Sequence, residues 1–101
     1  LKADLLFHQK ITVTGGLPLE VAVAELRVFS VPVSLHYPDG IKYSLFLVSK
    51  PAGRVIVGFD NHRPKGPHVH VRTREIPYDY RGVAELVEDF WRFLKKEGYQ
   101  P

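Results

Sequence analysis

Between Asp60 and Arg72 the chain reads DNHRPKGPHVHVR. Asp60, Asn61, His62, Arg63, Lys65, His68, His70 and Arg72 place eight side chains that move protons, hold anions or ligate metals within thirteen positions. The run HVHVR alternates, so an extended backbone puts His68, His70 and Arg72 on one face and Val69 and Val71 on the other. Side chains two apart on a strand are roughly 6–7 Å apart at their bases, a span over which two imidazoles converge on one phosphate or one ion.

Three chemistries fit these residue types. In a metal-independent nuclease, one of His68 and His70 removes the proton of a ribose 2′-hydroxyl and the other protonates the leaving oxygen. Arg63, Lys65 or Arg72 then stabilises the charge on the phosphoryl oxygens. In a second reading His68 and His70, with Asp60 or His62, ligate a divalent metal, for which an H-x-H pair is a short and unspecific pattern. In a third the cluster only docks a phosphate backbone or an acidic protein, each Lys or Arg adding a salt-dependent contact. A half-exposed strand with no site also accounts for HVHVR. The first reading is preferred: it makes His68 and His70 catalytic and Asp60, Asn61, His62, Arg63, Lys65 and Arg72 binding residues, with no metal or other cofactor.

Strands must position this cluster. Asp4–Thr14 holds the β-prone run Ile11–Thr14, and Gly15-Gly16 marks a hairpin. Glu20–Val28 alternates, with Ala22, Ala24, Leu26 and Val28 on one side and Val21, Val23 and Glu25 on the other; helix is the competing state. Pro32 breaks Ser30–His36 into an edge or loop. Pro38-Asp39-Gly40 turns the chain into the apolar Ile41–Ser49, and Pro51-Ala52-Gly53 turns it again into Arg54–Asn61. His62–Pro67 reads as a loop, His68–Arg72 as a fifth strand ended by Ile76-Pro77-Tyr78. From Gly82 to Lys96, Val83, Leu86, Val87, Phe90 and Leu94 follow helical spacing, with early Glu85 and Glu88, late Lys95 and Lys96, and Gly98 as a stop. The expected architecture is one α+β domain spanning residues 1–101: an about five-stranded, mostly antiparallel sheet with one long C-terminal helix packed on one face.

His8 and His36 stand alone and read as structural. Tyr37, Tyr43, Tyr78 and Tyr80 read as core or sheet-edge aromatics rather than a platform for bases, and Trp91 as packing.

The 101 residues suit one domain. The chain has no cysteine, which excludes disulfides and thiolate metal sites and fits a reducing cytoplasm. No apolar run approaches the ~20 residues of a membrane helix, and the first residues do not read as a signal peptide. No Met occurs, so the natural start is expected upstream of Leu1. A net charge of +3 mildly favours anionic partners such as RNA.

Taken in order, YSLFLV (Tyr43–Val48), GFDNHRPKGPHVHVR (Gly58–Arg72), IPYDY (Ile76–Tyr80) and LVEDFW (Leu86–Trp91) resemble the TumE-like small toxin family of prokaryotic toxin–antitoxin systems. The likeness is good from Ile41 onward and loose before it. On the family's pattern Asp60-Asn61 take the place of an Asp-Asn run, Lys65-Gly66 that of a Gly-Lys-Gly loop, and His68 and His70 that of a paired-histidine motif. Phe59 stands where Tyr is common, and Pro64 where a Gly would complete the loop. The resemblance implies a growth-inhibiting toxin neutralised by a cognate antitoxin, often a helix-turn-helix protein, and leaves the mechanism open. Residue chemistry and resemblance together point to a cytoplasmic toxin acting on RNA as a metal-independent ribonuclease. The alternative is a non-catalytic module that binds nucleic acid or protein. Open strand edges, in the first strand or near Pro32, suggest a homodimer.

Overall fold

A computed structural model describes residues 2–16 and 19–101; the expectation about Leu1 lies outside them. In chain order the elements are β1 (Asp4–Gly15), β2 (Glu20–Ser30), β3 (Ile41–Ser49), β4 (Val55–Asp60), β5 (His68–Val71), β6 (Arg74–Pro77), α1 (Val83–Lys96) and β7 (Tyr99–Gln100). The strands form one antiparallel sheet in the order β6-β5-β4-β3-β2-β1-β7. From β1 to β6 it is a simple meander. The helix then carries the chain across the concave face, from beside β4 to the far edge, where β7 joins β1. The result is a half-barrel curled around one helix.

Among the described residues the sheet thus has seven strands, not about five. The two extra ones escape sequence reasoning for physical reasons. The turn between β5 and β6 is Arg72-Thr73, with no Gly, Pro or Asn to announce it; Arg72 itself takes φ 55°, the left-handed conformation that non-glycine residues seldom adopt. β7 is two residues long and has no periodicity to detect.

Alternation along the strands sorts the sheet into two faces. Val13 of β1, Ala22, Ala24, Leu26 and Val28 of β2, Tyr43, Leu45 and Leu47 of β3, Val57 and Phe59 of β4, and Val69 and Val71 of β5 are buried on the concave side. Leu86, Phe90 and Leu94 of α1 are buried in the same core. Phe59 is its aromatic centre, with Tyr78, Phe90 and Phe93 edge-on to it at ring-centroid distances of 5.1, 5.9 and 5.2 Å. The strand assignment of Glu20–Val28 holds because its alternation matches this two-sided sheet.

The helix starts after Gly82 and ends where Gly98, at φ 90°, returns its N–H to the Lys95 carbonyl. The turn delivers Tyr99 beside Gly15. A Cβ on Gly15 would lie 2.1 Å from the Gly98 carbonyl oxygen, so only glycine lets β7 dock there. Tyr99 completes the closure by donating its hydroxyl proton to Glu20 at 2.8 Å.

One buried carboxylate secures the helix. Asp89 accepts hydrogen bonds from the Tyr78 hydroxyl and from Arg81 at 3.0 Å, and pairs with Arg92 at 2.7 Å. Burial works to raise its pKa, but the hydrogen bonds from Tyr78 and Arg92 and the charges of Arg92 and Arg81 prevail and hold it below the ordinary aspartate value. Burial, and then Asp89, push the Tyr78 phenol up, so Tyr78 remains a donor.

Candidate functional site

The cluster lies on the convex face, opposite the helix. Antiparallel register sets His68 of β5 beside Asp60 of β4, and His70 beside Gly58. Residues so paired share a face, and both pairs point away from Val69, Val71 and Phe59. Asp60, His68 and His70 therefore meet, with one ligating atom from each within 4.8 Å of the others. The imidazoles of His68 and His70 lie edge to face, with centroids 4.8 Å apart.

Although it is on the outer face, the cluster is not laid open. His68 is 7% exposed and Asp60 9%. Beside them, Gly58 leaves room for Phe46: a Cβ there would come within 2.5 Å of the Phe46 ring. The 61–67 loop turns back through Gly66 at φ 75°. This brings the Gly66 carbonyl 2.8 Å from Nδ1 of His68. A carbonyl only accepts, so Nδ1 carries the proton, and Nε2 is the atom turned to Asp60, 3.4 Å from its Oδ1. That same Oδ1 accepts the His62 backbone N–H at 3.2 Å.

His70 is the accessible member, with its side chain 36% exposed. Its Nε2 lies 3.9 Å from Glu75 of β6. Lys65 donates to both Glu75 oxygens, at 2.8 and 3.1 Å, and that hydrogen bond is the main reason the Glu75 carboxyl sits below its ordinary range.

The other expected site residues divide. Lys65 stands at the rim through Glu75. Asn61 is occupied structurally: its Oδ1 accepts the Tyr43 N–H at 2.9 Å and its Nδ2 donates to the Ile41 carbonyl at 2.8 Å, extending the β3–β4 ladder by one side chain. His62 and Arg63 are exposed on the loop. Arg72 does not join the cluster; it sits in the β5–β6 turn, where its Nε donates to Glu97 at 2.7 Å beyond the helix end. Alternation predicted a shared face, but the left-handed turn at Arg72 ends that pattern one residue early.

Arg63 leads to a feature that sequence reasoning missed. With Lys2, His36, Tyr37 and Lys42 it lines a cleft of about 290 Å³. Lys42 precedes by two residues Ser44, the β3 partner of Asp60, so it continues the convex face. Lys2, His36, Lys42 and Arg63 meet here from four separate segments, which no local motif could have signalled. His36, which reads as structural in isolation, is an exposed member of this cleft. His8, the other isolated histidine, pairs with Glu25 at 2.8 Å on the same convex face. The tyrosines divide differently: Tyr43 is buried and stacked on Tyr80 at 5.5 Å, a core contact rather than a platform.

No curated protein and no solved structure matches the chain. The model of a family described as Toxin TumE does match, over residues 2–97 of the 101, and the chain therefore belongs to the TumE toxin family.

Proposed function

We propose that this toxin inhibits growth by cleaving RNA at the Asp60–His68–His70 site. Family membership makes the chain a toxin component and implies a cognate antitoxin. The nuclease reading rests on one observation: a half-exposed imidazole, a second imidazole and a carboxylate converge on the convex face. RNA offers both groups such a surface needs, a polyanionic backbone for Lys2, Lys42 and Arg63, and a 2′-hydroxyl whose proton must be removed.

The roles follow from accessibility. His70 meets the substrate and exchanges the proton. His68, with Nδ1 fixed by Gly66 and Nε2 facing Asp60, acts from behind it. Arg63 and Lys65, on either side of Pro64 in the 61–67 loop, hold phosphate. The target places the toxin in the cytoplasm, and a helix-turn-helix antitoxin fits the family resemblance. β1 suits a homodimer seam: among the described residues, Asp4–Val13 pair on one side only, and Leu5 and Leu6 are more than half exposed there. Light scattering on the purified chain checks the dimer.

Purified toxin incubated with RNA tests the central reading. Wild type is expected to cleave and to arrest growth when expressed without antitoxin, and His70→Ala to do neither while keeping its circular dichroism spectrum. Growth arrest by a folded His70→Ala variant, or tight RNA binding without cleavage by wild type, removes the catalytic assignment and leaves a module that only binds.

A further inference from the structure

The geometry points to a divalent transition-metal site, of the zinc or manganese type, formed by Asp60, His68 and His70. The inference rests on the nuclease reading in taking these three residues as functional, but it replaces the proton exchange assigned to His70 there with metal ligation. Its starting point is the orientation of His68. Nδ1 donates to the Gly66 carbonyl, so in the neutral ring Nε2 is a bare lone pair. That lone pair faces a carboxylate oxygen 3.4 Å away, in a position only 7% exposed on the histidine and 9% on the aspartate. With the ring neutral the two electron-rich atoms repel, and either a second proton on the imidazole or a metal cation between them turns that repulsion into attraction.

Three details fit a metal ion. In a tetrahedral shell with bonds of about 2.0–2.2 Å, neighbouring donor atoms are about 3.4 Å apart. The His68–Asp60 separation already has this value, and all three donors fall within 4.8 Å. The Nδ1–H to Gly66 bond is the second interaction that orients a ligating imidazole and presents its Nε2. Two imidazoles and one carboxylate favour zinc, manganese or iron over magnesium or calcium, which prefer all-oxygen shells. Three protein ligands leave a fourth position free, and the exposure of His70 puts that opening towards solvent.

Calorimetry on the full chain, stripped with EDTA and dialysed, tests this directly with Zn²⁺, Mn²⁺ and Mg²⁺. One equivalent of Zn²⁺ per chain is expected, with Mg²⁺ at least tenfold weaker. His70→Ala and Asp60→Asn should each weaken Zn²⁺ at least tenfold. His68→Ala should do so too, and because His68 is buried, His70→Ala, at the exposed position, carries the test if that variant does not fold. His8→Gln, at the paired histidine on β1, should leave affinity unchanged. Cobalt substitution adds a readout independent of activity: a visible absorption band that disappears in His70→Ala. Absence of a stoichiometric site, or equal loss in His8→Gln, overturns the proposal. RNA cleavage by metal-stripped protein that binds no zinc overturns it too but leaves the nuclease reading intact. Stoichiometric zinc with no cleavage of RNA supports the metal site and defeats the nuclease.

Discussion

Two buried aspartates lie on opposite sides of this small sheet, and they are treated very differently. Asp89, on the helix side, has every direction filled: a tyrosine hydroxyl and two guanidinium groups surround it. Asp60, on the convex side, receives one backbone N–H at 3.2 Å and otherwise faces a histidine nitrogen at 3.4 Å. Removing a carboxylate from water is costly unless its lone pairs are satisfied. Asp89 meets that condition with three side-chain donors, Asp60 with one backbone N–H and one histidine nitrogen. On the proposed function, the difference separates a charge that holds the fold from one available to a substrate.

Exchanging the two roles experimentally is the largest test. Asp60→Asn and His70→Ala are each expected to lower RNA cleavage by about a hundredfold or more, the usual worth of a positioned proton-transfer group, with little change in melting temperature. If Asp60→Asn instead melts the protein and spares the activity, the contrast collapses.

Asp89→Ala should show the opposite pattern. It leaves the Tyr78 hydroxyl without its acceptor, but Arg81 and Arg92, both more than half exposed, can rehydrate. The expected loss is therefore about 2 kcal/mol rather than the roughly 3–5 kcal/mol of a wholly buried pair, and urea denaturation measures it. Cleavage by the variant below its melting point should stay within a few-fold of wild type.

Acid titration sharpens the same contrast. Because the folded state lowers the Asp89 pKa, its stabilisation is fully present above the unfolded value of about 3.9 and is lost as pH falls through the lower folded value. Stability curves of wild type and Asp89→Asn should converge across that acid window and run parallel above it.

The smallest effects belong to the basic cleft. Arg63→Ala and Lys42→Ala should each weaken RNA binding a few-fold and reduce the salt dependence of log K by about 0.7, the value for one contact to a single strand. A salt slope unchanged in both would separate the cleft from the site.

Much of this was legible in the residues. Val69 and Val71 turned inward and His68 and His70 outward, as alternation requires, and the helix periodicity of Val83–Lys96 fixed which face would be covered. The Asp60–His68 pairing also followed, because a short loop joins the two strands that carry them. The rest depended on information the sequence does not hold locally. Asn61 looks like a site residue until the β3 backbone groups it caps are known. Arg72 looks like a neighbour of His70 until its own φ turns it to Glu97. Lys2, His36 and Lys42 are far from Arg63 in the chain and meet it only because the meander folds them to one end of the sheet.

β6 has a dynamic consequence for the site. It is a four-residue edge strand, paired on one side only, and Pro77 gives it no N–H opposite His68. It also carries Glu75, which holds Lys65 across the rim. Edge segments with few buried contacts open at lower free energy than the strands beneath them. When β6 frays, Glu75 parts from Lys65 and the outer wall of the cluster opens, while Phe59 and the helix stay packed. The cluster thus sits beside a readily opened edge of an otherwise closed core, and fraying of β6 uncovers His68 without unfolding the protein.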